Sequence, residues 1–289
     1  MQFKILYTIQ FIAVFALTLG IGCASEESGM DERFNFLHQD KNRFVDVHIP
    51  EGYVAGTPVP VLLALHGSGD SGSTFQRGAG LDKEADRYGF IVAYPTASTS
   101  NWAEGCNCNR PDIDGVDDVG FTDKVLELLD EKYSIDKNRL FVTGFSQGGM
   151  FAQRLACERS ETYKAFSTVA AMISQPLSQV CYPPERVSIM MVNGSSDASL
   201  PFAGIPSGSF ATKGAYETLV MWKNRNDCSG IIESQTYRPS GPTTYLHRVM
   251  GCPGNADVRL YEIVGGQHVW PRDKVDAPAL LVDYFGLNQ

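Results

Sequence analysis

Basic residues are scarce in this sequence. Its 289 residues include 24 Lys and Arg against 33 Asp and Glu, which gives a formal net charge of −9. No run of five or more basic residues occurs, and both features argue against a surface for nucleic acid. Internal repeats and low-complexity tracts are absent as well. The 43% hydrophobic content instead indicates a globular protein with a sizeable core.

Charge is almost absent from the N-terminal segment, where Lys4 is the only charged side chain before Glu26. The apolar run 11–19 is followed by the small residues GIGCAS, a pattern typical of an export signal over residues 1–22. The sequence LGIGC suggests lipidation at Cys23, and a freely secreted chain or an uncleaved anchor are the alternatives. We therefore expect an extracellular or periplasmic protein that contacts a membrane only through such an anchor.

The number of cysteines agrees with export. Seven are present, and six remain when Cys23 is set aside, an even number that favours disulfides in an exported chain. Two pairs are predicted because each brackets a compact segment: Cys157 with Cys181, and Cys228 with Cys252. Cys106 and Cys108 then form either a bond across one residue or two free thiols.

Metal-binding patterns are weak. The Cys106-Asn107-Cys108 segment has no second ligand pair at zinc-site spacing. The acidic cluster at 111–118 departs from a calcium loop, because aspartates stand where that loop has its central glycine and its final glutamate. We therefore predict no metal site and interpret the cluster as a loop with a helix cap at Asp117 or Asp118.

Apolar segments alternate with helical patterns along the chain. Continuously apolar runs, typical of strands buried on both faces, lie at 59–67, 90–95 and 139–145. This alternation predicts an α/β fold, with a mostly parallel central sheet and helices on both faces. The segment 43–50 alternates like an edge strand. We expect one catalytic domain over 40–289, preceded by a polar linker over 23–39.

One serine has the surroundings of a nucleophile. Residues 144–148, GFSQG, match the pattern G-x-S-x-G between a predicted strand and a predicted helix. The serine then lies on a sharp turn, and its glycine neighbours avoid clashes with the strand and the helix. The helix N-terminus favours the negative charge that develops in acyl transfer. We predict Ser146 to be the nucleophile, and the alternative is a serine that only caps the helix.

A second segment, GSGDSGS at 67–73, resembles the nucleophile loop of trypsin-like proteases. The chain before Ser71 is too short for the β-barrel that such a protease requires, which argues against this alternative. The segment instead ends an early buried strand, where its backbone can point an N–H group at the substrate. We predict an oxyanion hole formed by the backbone N–H groups of Ser68 and Gln147, with His66 ordering the loop. A plain turn is the alternative.

The acid and the base are expected after the serine, because α/β-hydrolases order their triad as serine, acid and histidine. Asp197 follows a buried run and is the predicted acid, while Asp227 and Asp257 lie at the wrong ends of their elements. His268 follows a strand and a glycine turn, which suits a base that must reach the serine. His247 alternates within a strand pattern and is the weaker candidate.

Four segments together are similar to one known family: LLALHGSGDS, VDDVGFTDKVLELLDEKYSIDKNRLFVTGFSQGGMFAQRLAC, VNGSSDASLPFAG and GGQHVWP. They resemble the polyhydroxybutyrate-depolymerase-like and feruloyl esterases, over residues 40–285. The resemblance implies an α/β-hydrolase fold, no metal or other cofactor, and Ser146, Asp197 and His268 as the triad. Gln267 departs from the glycine that often precedes the histidine in this family.

The resemblance also implies a serine carboxylic-ester hydrolase that works through an acyl-enzyme. Its partner would be a feruloyl or acetyl ester on plant polysaccharide, or alternatively a polyhydroxyalkanoate. No polymer-binding module is recognised, which favours the first. A peptidase and a non-catalytic surface protein are further alternatives. Trp102 and Trp270 are predicted to form an aromatic wall for the acyl group or a sugar, unless both are packing residues.

Overall fold

The computed structural model describes residues 29–238, 241–273 and 275–289. Within them, one sheet contains ten strands in the order β1-β2-β4-β3-β5-β6-β7-β10-β9-β8. The strands are β1 (Met30–His38), β2 (Lys41–Ile49), β3 (Val59–Leu65), β4 (Ile91–Thr96), β5 (Ile135–Phe145), β6 (Ala165–Val169), β7 (Ile189–Gly194), β8 (Ile232–Arg238), β9 (Thr244–Val249) and β10 (Val258–Ile263).

The centre of the sheet is parallel, and its two borders are antiparallel. β3 pairs in parallel with β4 and β5, and the parallel pairing continues through β6, β7 and β10. β1 and β2 at one border, and β9 and β8 at the other, pair in antiparallel fashion. The predicted mostly parallel sheet is therefore confirmed. The carboxyl ends of β3, β5, β7 and β10 lie at one edge, the edge at which such sheets bind ligands.

Helices cover both faces of the sheet. They are α1 (Gly72–Ala79), α2 (Leu81–Tyr88), α3 (Arg110–Ile113), α4 (Asp118–Lys132), α5 (Gln147–Glu158), α6 (Gln175–Val180), α7 (Ala215–Arg225) and α8 (Ala277–Phe285). α4, α5 and α7 contribute to one buried cluster, and α1, α2 and α8 to a second cluster. In β3, Leu63 and Leu65 belong to the first cluster and Leu62 to the second. Each such buried leucine contributes roughly 1.5–3 kcal/mol of transfer free energy, and double-sided burial explains the continuous apolar runs.

The predicted linker over 23–39 is wrong from residue 30 onward, because β1 occupies Met30–His38 and pairs with β2 along its length. The predicted domain boundary at 40 is therefore too late. The segment reads as polar because one side of β1 is exposed, while Phe34 and Phe36 on its other side pack against the first cluster. For the same reason 43–50 is not an edge strand: β1 takes the border position, and β2 lies inside it.

The predicted export signal and Cys23 lie outside the described residues, so export and lipidation stay predictions. Among the described residues, no helix has both the length and the apolar content needed to cross a membrane.

Three disulfides occur within the described part of the chain, and they include both predicted pairs. Cys157–Cys181 ties α5 to the end of α6, and Cys228–Cys252 ties the segment after α7 to the segment after β9. Of the two alternatives left open for Cys106 and Cys108, the structure has the bond.

Candidate active site

Ser146 lies on a strained turn between β5 and α5. Its backbone has φ 53° and ψ −124°, a region that costs a non-glycine residue of order 1–3 kcal/mol and that clusters at functional sites. The two flanking glycines are required by space. A Cβ at Gly144 would lie 2.2 Å from the carbonyl oxygen of Gly148, and a Cβ at Gly148 would lie 2.3 Å from that of Leu65. The tight strand-turn-helix packing expected from G-x-S-x-G is therefore present.

The Ser146 hydroxyl does not cap α5, although Ser146 occupies the N-cap position. Its Oγ lies 2.9 Å from Nε2 of His268. The alternative of a serine that serves only as a helix cap is therefore wrong. The hydroxyl lies instead beside the positive end of the α5 dipole, and is hydrogen-bonded to a group that can accept its proton.

His268 is also hydrogen-bonded to Asp197, so that hydrogen bonds run from Ser146 through His268 to Asp197. His268 Nδ1 lies 2.7 Å from Asp197 Oδ2. Because an ionised carboxylate only accepts, Nδ1 carries the hydrogen and Nε2 of the neutral ring faces the serine as an acceptor. The Asp197 side chain is buried, and its Oδ1 accepts from the backbone N–H groups of Ser199 and Leu200, each at 2.8 Å. The aspartate is therefore fixed in place before it orients the imidazole.

The loops that carry the acid and the base are hydrogen-bonded to each other. The Ser196 N–H donates to the Gly266 carbonyl at 2.9 Å, and the Gly265 N–H donates to Ser195 Oγ at 2.8 Å. A Cβ at Gly194 would lie 2.3 Å from the Gly266 carbonyl oxygen. Glycine at 194 is thus what lets the end of β7 approach the loop that follows β10.

The competing acids and the competing histidine lie elsewhere. Asp227 is exposed and 3.7 Å from Arg186. Asp257 forms ion pairs with Arg248, near the end of β9, and with Arg259, near the start of β10. This is the end of β10 away from His268. His247 lies within β9 and contacts Glu262 and Ser234.

The predicted oxyanion segments lie next to each other. A Cβ at Gly67 would lie 3.4 Å from Cβ of Ser146, so the loop after β3 contacts the serine turn. Within the described residues, the Ser68 N–H donates to no protein acceptor. Gln147 is the first residue of α5, and its N–H has no intrahelical acceptor. Two unused N–H donors thus flank Ser146.

His66 orders the loop after β3, as predicted. It is fully buried; its Nε2 accepts from the Ala97 N–H at 3.0 Å and its Nδ1 donates to the Gly67 carbonyl at 2.7 Å. Burial lowers the pKa of His66, which agrees with a neutral ring that uses one nitrogen as donor and the other as acceptor.

Trp102 is not a substrate-facing residue, so the predicted aromatic wall is wrong at this position. Its side chain is 0% exposed and stacks on Phe151 of α5, with ring centroids 4.9 Å apart. Its indole N–H donates to the His66 carbonyl at 2.9 Å. An aromatic residue in a long loop reads from sequence as a candidate for binding, and only the packing of the loop onto α5 shows its burial.

Trp270 is half-buried beside the His268 loop. Its indole N–H donates to the Ala79 carbonyl at 3.0 Å, and its ring packs edge-on against Phe75. It also lines a cavity of about 770 Å³. The lining is mostly apolar and includes Ala170, Val192, Ile263, Val269, Trp270 and Val275. The cavity therefore lies between the ends of β7 and β10 and the segment 266–275; Ser146 and His268 are not among the residues that line it.

Glu104 is a buried acid near the serine turn that the sequence analysis missed. Its side chain is 0% exposed, and one of its oxygens accepts from Asn109. The other oxygen has no hydrogen-bond partner among the residues that the structure describes. Burial first, and the charge of Asp112 second, raise the pKa of Glu104 to about 8. No local pattern marks this residue, because its burial depends on the packing of the loop that carries it.

The acidic cluster at 111–118 has structural roles. Asp117 is the N-cap of α4, and it accepts from the Gly120 N–H at 2.7 Å. Asp118 forms a fully buried pair with Arg43, at 2.6 Å. Burial of this kind stabilises only when both charges are paired, and the pair fixes β2 to the start of α4.

The topology and the serine turn between β5 and α5 define the class of the protein as an α/β-hydrolase. The chain matches the model of the Esterase family, described as "Putative esterase", over residues 38–265. It belongs to this family and is a carboxylic ester hydrolase.

Two relatives that are named as esterases agree with this assignment. "Probable feruloyl esterase C" of Aspergillus niger is 28% identical over 244 residues, which cover 81% of this chain and 86% of the relative. The bifunctional acetylxylan esterase/xylanase XynS20E of Neocallimastix patriciarum is also 28% identical, over 80% of this chain but only 31% of that longer protein. The feruloyl esterase part of the resemblance is therefore confirmed, and its polyhydroxybutyrate depolymerase part gains no support.

Solved structures share the fold. The acetyl xylan esterase from Aspergillus awamori superposes with a TM-score of 0.66 at 16% identity, covering 89% of this chain and 99% of that structure. The ferulic acid esterase from Anaeromyces mucronatus gives a TM-score of 0.55 at 15% identity, covering 92% and 94%. At these identities the likeness concerns the fold alone.

Proposed function

We propose that this protein is an exported serine esterase, in which Ser146, His268 and Asp197 act as the catalytic triad. The observation that carries the proposal is the continuous chain of hydrogen bonds from Ser146 Oγ through His268 to the buried Asp197 carboxylate. Its geometry and order match the roles of nucleophile, base and orienting acid.

The reaction has two halves. His268 Nε2 takes the proton of Ser146 while Oγ attacks the ester carbonyl, and Asp197 stabilises the imidazolium that forms. The tetrahedral intermediate collapses to an acyl-enzyme as His268 returns the proton to the leaving alcohol. Water then attacks the acyl-enzyme with His268 again as the base, which releases the acid and restores Ser146.

The negative oxygen of each intermediate is held by the backbone N–H groups of Ser68 and Gln147 in this proposal. Support comes from the contact between Gly67 and the serine turn and from the unused donors on both sides of it. Such donors stabilise the transition state more than the ground state, because the charge develops only during the reaction.

The substrate class we propose is a feruloyl or acetyl ester of plant polysaccharide. Relatives carry the names feruloyl esterase and acetylxylan esterase. The apolar cavity beside Trp270 has the size and lining to hold a phenolic acyl group. An acetyl group does not need this volume, so the cavity favours the aromatic acid.

The catalytic proposal is tested with Ser146→Ala. We expect kcat/KM for methyl ferulate to fall by at least about 10³-fold, because the nucleophile is removed. Circular dichroism and the melting temperature should show an intact fold. Hydrolysis that continues at the wild-type rate would overturn the triad.

The substrate proposal is tested separately with Trp270→Ala. Methyl ferulate and 4-nitrophenyl acetate are compared on the same preparations. We expect kcat/KM to fall by about tenfold or more for the feruloyl ester, since an apolar contact is lost, while the acetyl ester changes little. An equal loss for both esters would contradict a role of the cavity in acyl selection.

A further inference from the structure

Trp102 lies between the two segments that supply the proposed oxyanion donors. Those donors come from parts of the chain far apart in sequence, the loop after β3 and the start of α5. The Trp102 loop is in direct contact with both. An oxyanion hole works only when its two N–H groups stand at a fixed separation, so the contacts of Trp102 bear on catalysis.

The first contact is with the loop after β3. The Trp102 indole N–H donates to the carbonyl oxygen of His66 at 2.9 Å. The indole also packs against the His66 imidazole, with ring centroids 4.9 Å apart. His66 in turn holds the Gly67 carbonyl at 2.7 Å. The backbone that leads into Ser68 is therefore held from both the indole and the imidazole.

The second contact is with the residue after the nucleophile. The Trp102 backbone N–H donates to Gln147 Oε1 at 3.1 Å, and Gln147 Nε2 approaches the Trp102 carbonyl oxygen at 3.4 Å. The indole stacks on Phe151, one turn further along α5, with an interplanar angle of 4°. Trp102 is thus fixed to the start of α5 by its backbone hydrogen bond to Gln147 and by the stacking of its ring on Phe151.

The loop that carries Trp102 is itself fixed. The Ala103 N–H donates to Asp118 at 2.8 Å, and its carbonyl accepts from Arg154 at 2.7 Å. Asn109 donates to the Trp102 carbonyl at 3.0 Å. A buried residue with this many fixed partners has little freedom to adjust, so it can transmit position from one segment to the other.

We propose that Trp102 is a positioning residue that sets the separation between the N–H groups of Ser68 and Gln147, through its indole bond to the His66 carbonyl. The inference rests on the proposed function, and specifically on the location of the oxyanion hole. It assigns no contact between Trp102 and substrate, in agreement with its complete burial.

The test is Trp102→Phe, which keeps an aromatic ring against Phe151 and removes the indole N–H. We expect kcat for methyl ferulate to fall about 10-fold to 100-fold with KM changed less than about threefold, because the donors are displaced from the oxyanion and ground-state binding is untouched. The inhibition constant of an aryl boronic acid, which adds to Ser146 as a tetrahedral adduct, should rise in parallel.

The chain offers a matched control in Trp222→Phe. Trp222 is also 0% exposed, and its indole N–H also donates to a single acceptor, Gln153 Oε1 at 3.0 Å. This hydrogen bond involves neither the loop after β3 nor Gln147. We expect a comparable loss of melting temperature in both variants, but unchanged kcat and boronate inhibition in Trp222→Phe.

Should Trp102→Phe fail to fold, a second variant, Gln147→Leu, tests the same inference. It removes the side-chain hydrogen bonds between Gln147 and the Trp102 backbone and keeps the Gln147 backbone N–H. We expect the same loss of kcat. Equal kcat in the variants at positions 102 and 222, with Ser146→Ala inactive, would overturn this inference and leave the triad standing. An active Ser146→Ala would overturn the proposed function itself.

Discussion

At the scale of single residues, burial sets the ionisation of Glu104. Among the described residues, no cation offsets the desolvation of this side chain, and it retains its proton to about pH 8. The unfolded chain loses that proton near pH 4.5, so the native state binds more protons between these two values. The free energy of unfolding therefore falls as pH rises through this range.

Replacement by an isosteric neutral side chain should remove this dependence. We expect Glu104→Gln to gain stability relative to wild type between pH 5 and pH 8, by about 1.4 kcal/mol per pH unit. Urea unfolding followed by tryptophan fluorescence at both pH values measures it. Glu51→Gln, at an exposed glutamate, serves as the control. A difference from wild type that is the same at both pH values would contradict the buried, protonated state of Glu104.

At the scale of elements, the turn between β5 and α5 depends on close approach of backbones. The positive φ of Ser146 is maintained because Gly144 and Gly148 let the strand, the helix and the end of β3 come within distances that no Cβ tolerates. Local strain is thus held by packing around it.

Two alanine substitutions separate this packing from intrinsic glycine effects. We expect Gly148→Ala to lower the free energy of unfolding by at least about 2 kcal/mol and to reduce kcat, since its Cβ would meet the backbone of Leu65 and His66. Gly78→Ala, in the exposed part of α1 with no atom near its Cβ, should raise stability by about 0.5–1 kcal/mol. Differential scanning calorimetry and esterase assays report both, and an unaffected Gly148→Ala would show that the turn is not tightly packed.

At the scale of the whole molecule, the disulfides differ in how much chain they close. Cys157–Cys181 and Cys228–Cys252 each span 24 residues, whereas Cys106–Cys108 spans two. A cross-link stabilises by restricting the unfolded chain, and the effect grows with the length of the closed loop.

Paired alanine variants should follow that order. We expect Cys157→Ala/Cys181→Ala to lose about 3.5 kcal/mol of unfolding free energy, and Cys106→Ala/Cys108→Ala about 1.2 kcal/mol. Guanidinium titrations of the purified variants measure both values. A larger loss from the short loop would mean that its contacts around Asn109 and Glu104, and not chain entropy, dominate its contribution.

The sequence by itself determined the apolar strands at the centre of the sheet and the strand ends after which Ser146, Asp197 and His268 lie. Those features follow from local patterns, because burial on both faces makes parallel strands apolar and because a tight turn requires glycine. Two disulfide pairs were also predicted from the sequence, because each pair of cysteines brackets a compact segment.

Only the tertiary structure decided the role of Trp102, the protonation of Glu104 and the place of β1 in the sheet. Trp102 contacts His66 and Gln147, which lie 36 and 45 positions away in the chain. β1 is fixed by the packing of Phe34 against Tyr133 and of Phe36 against Phe121 of α4. Burial is a property of all the segments that surround a side chain. A local pattern cannot tell an aromatic residue that faces substrate from one that packs beneath the site.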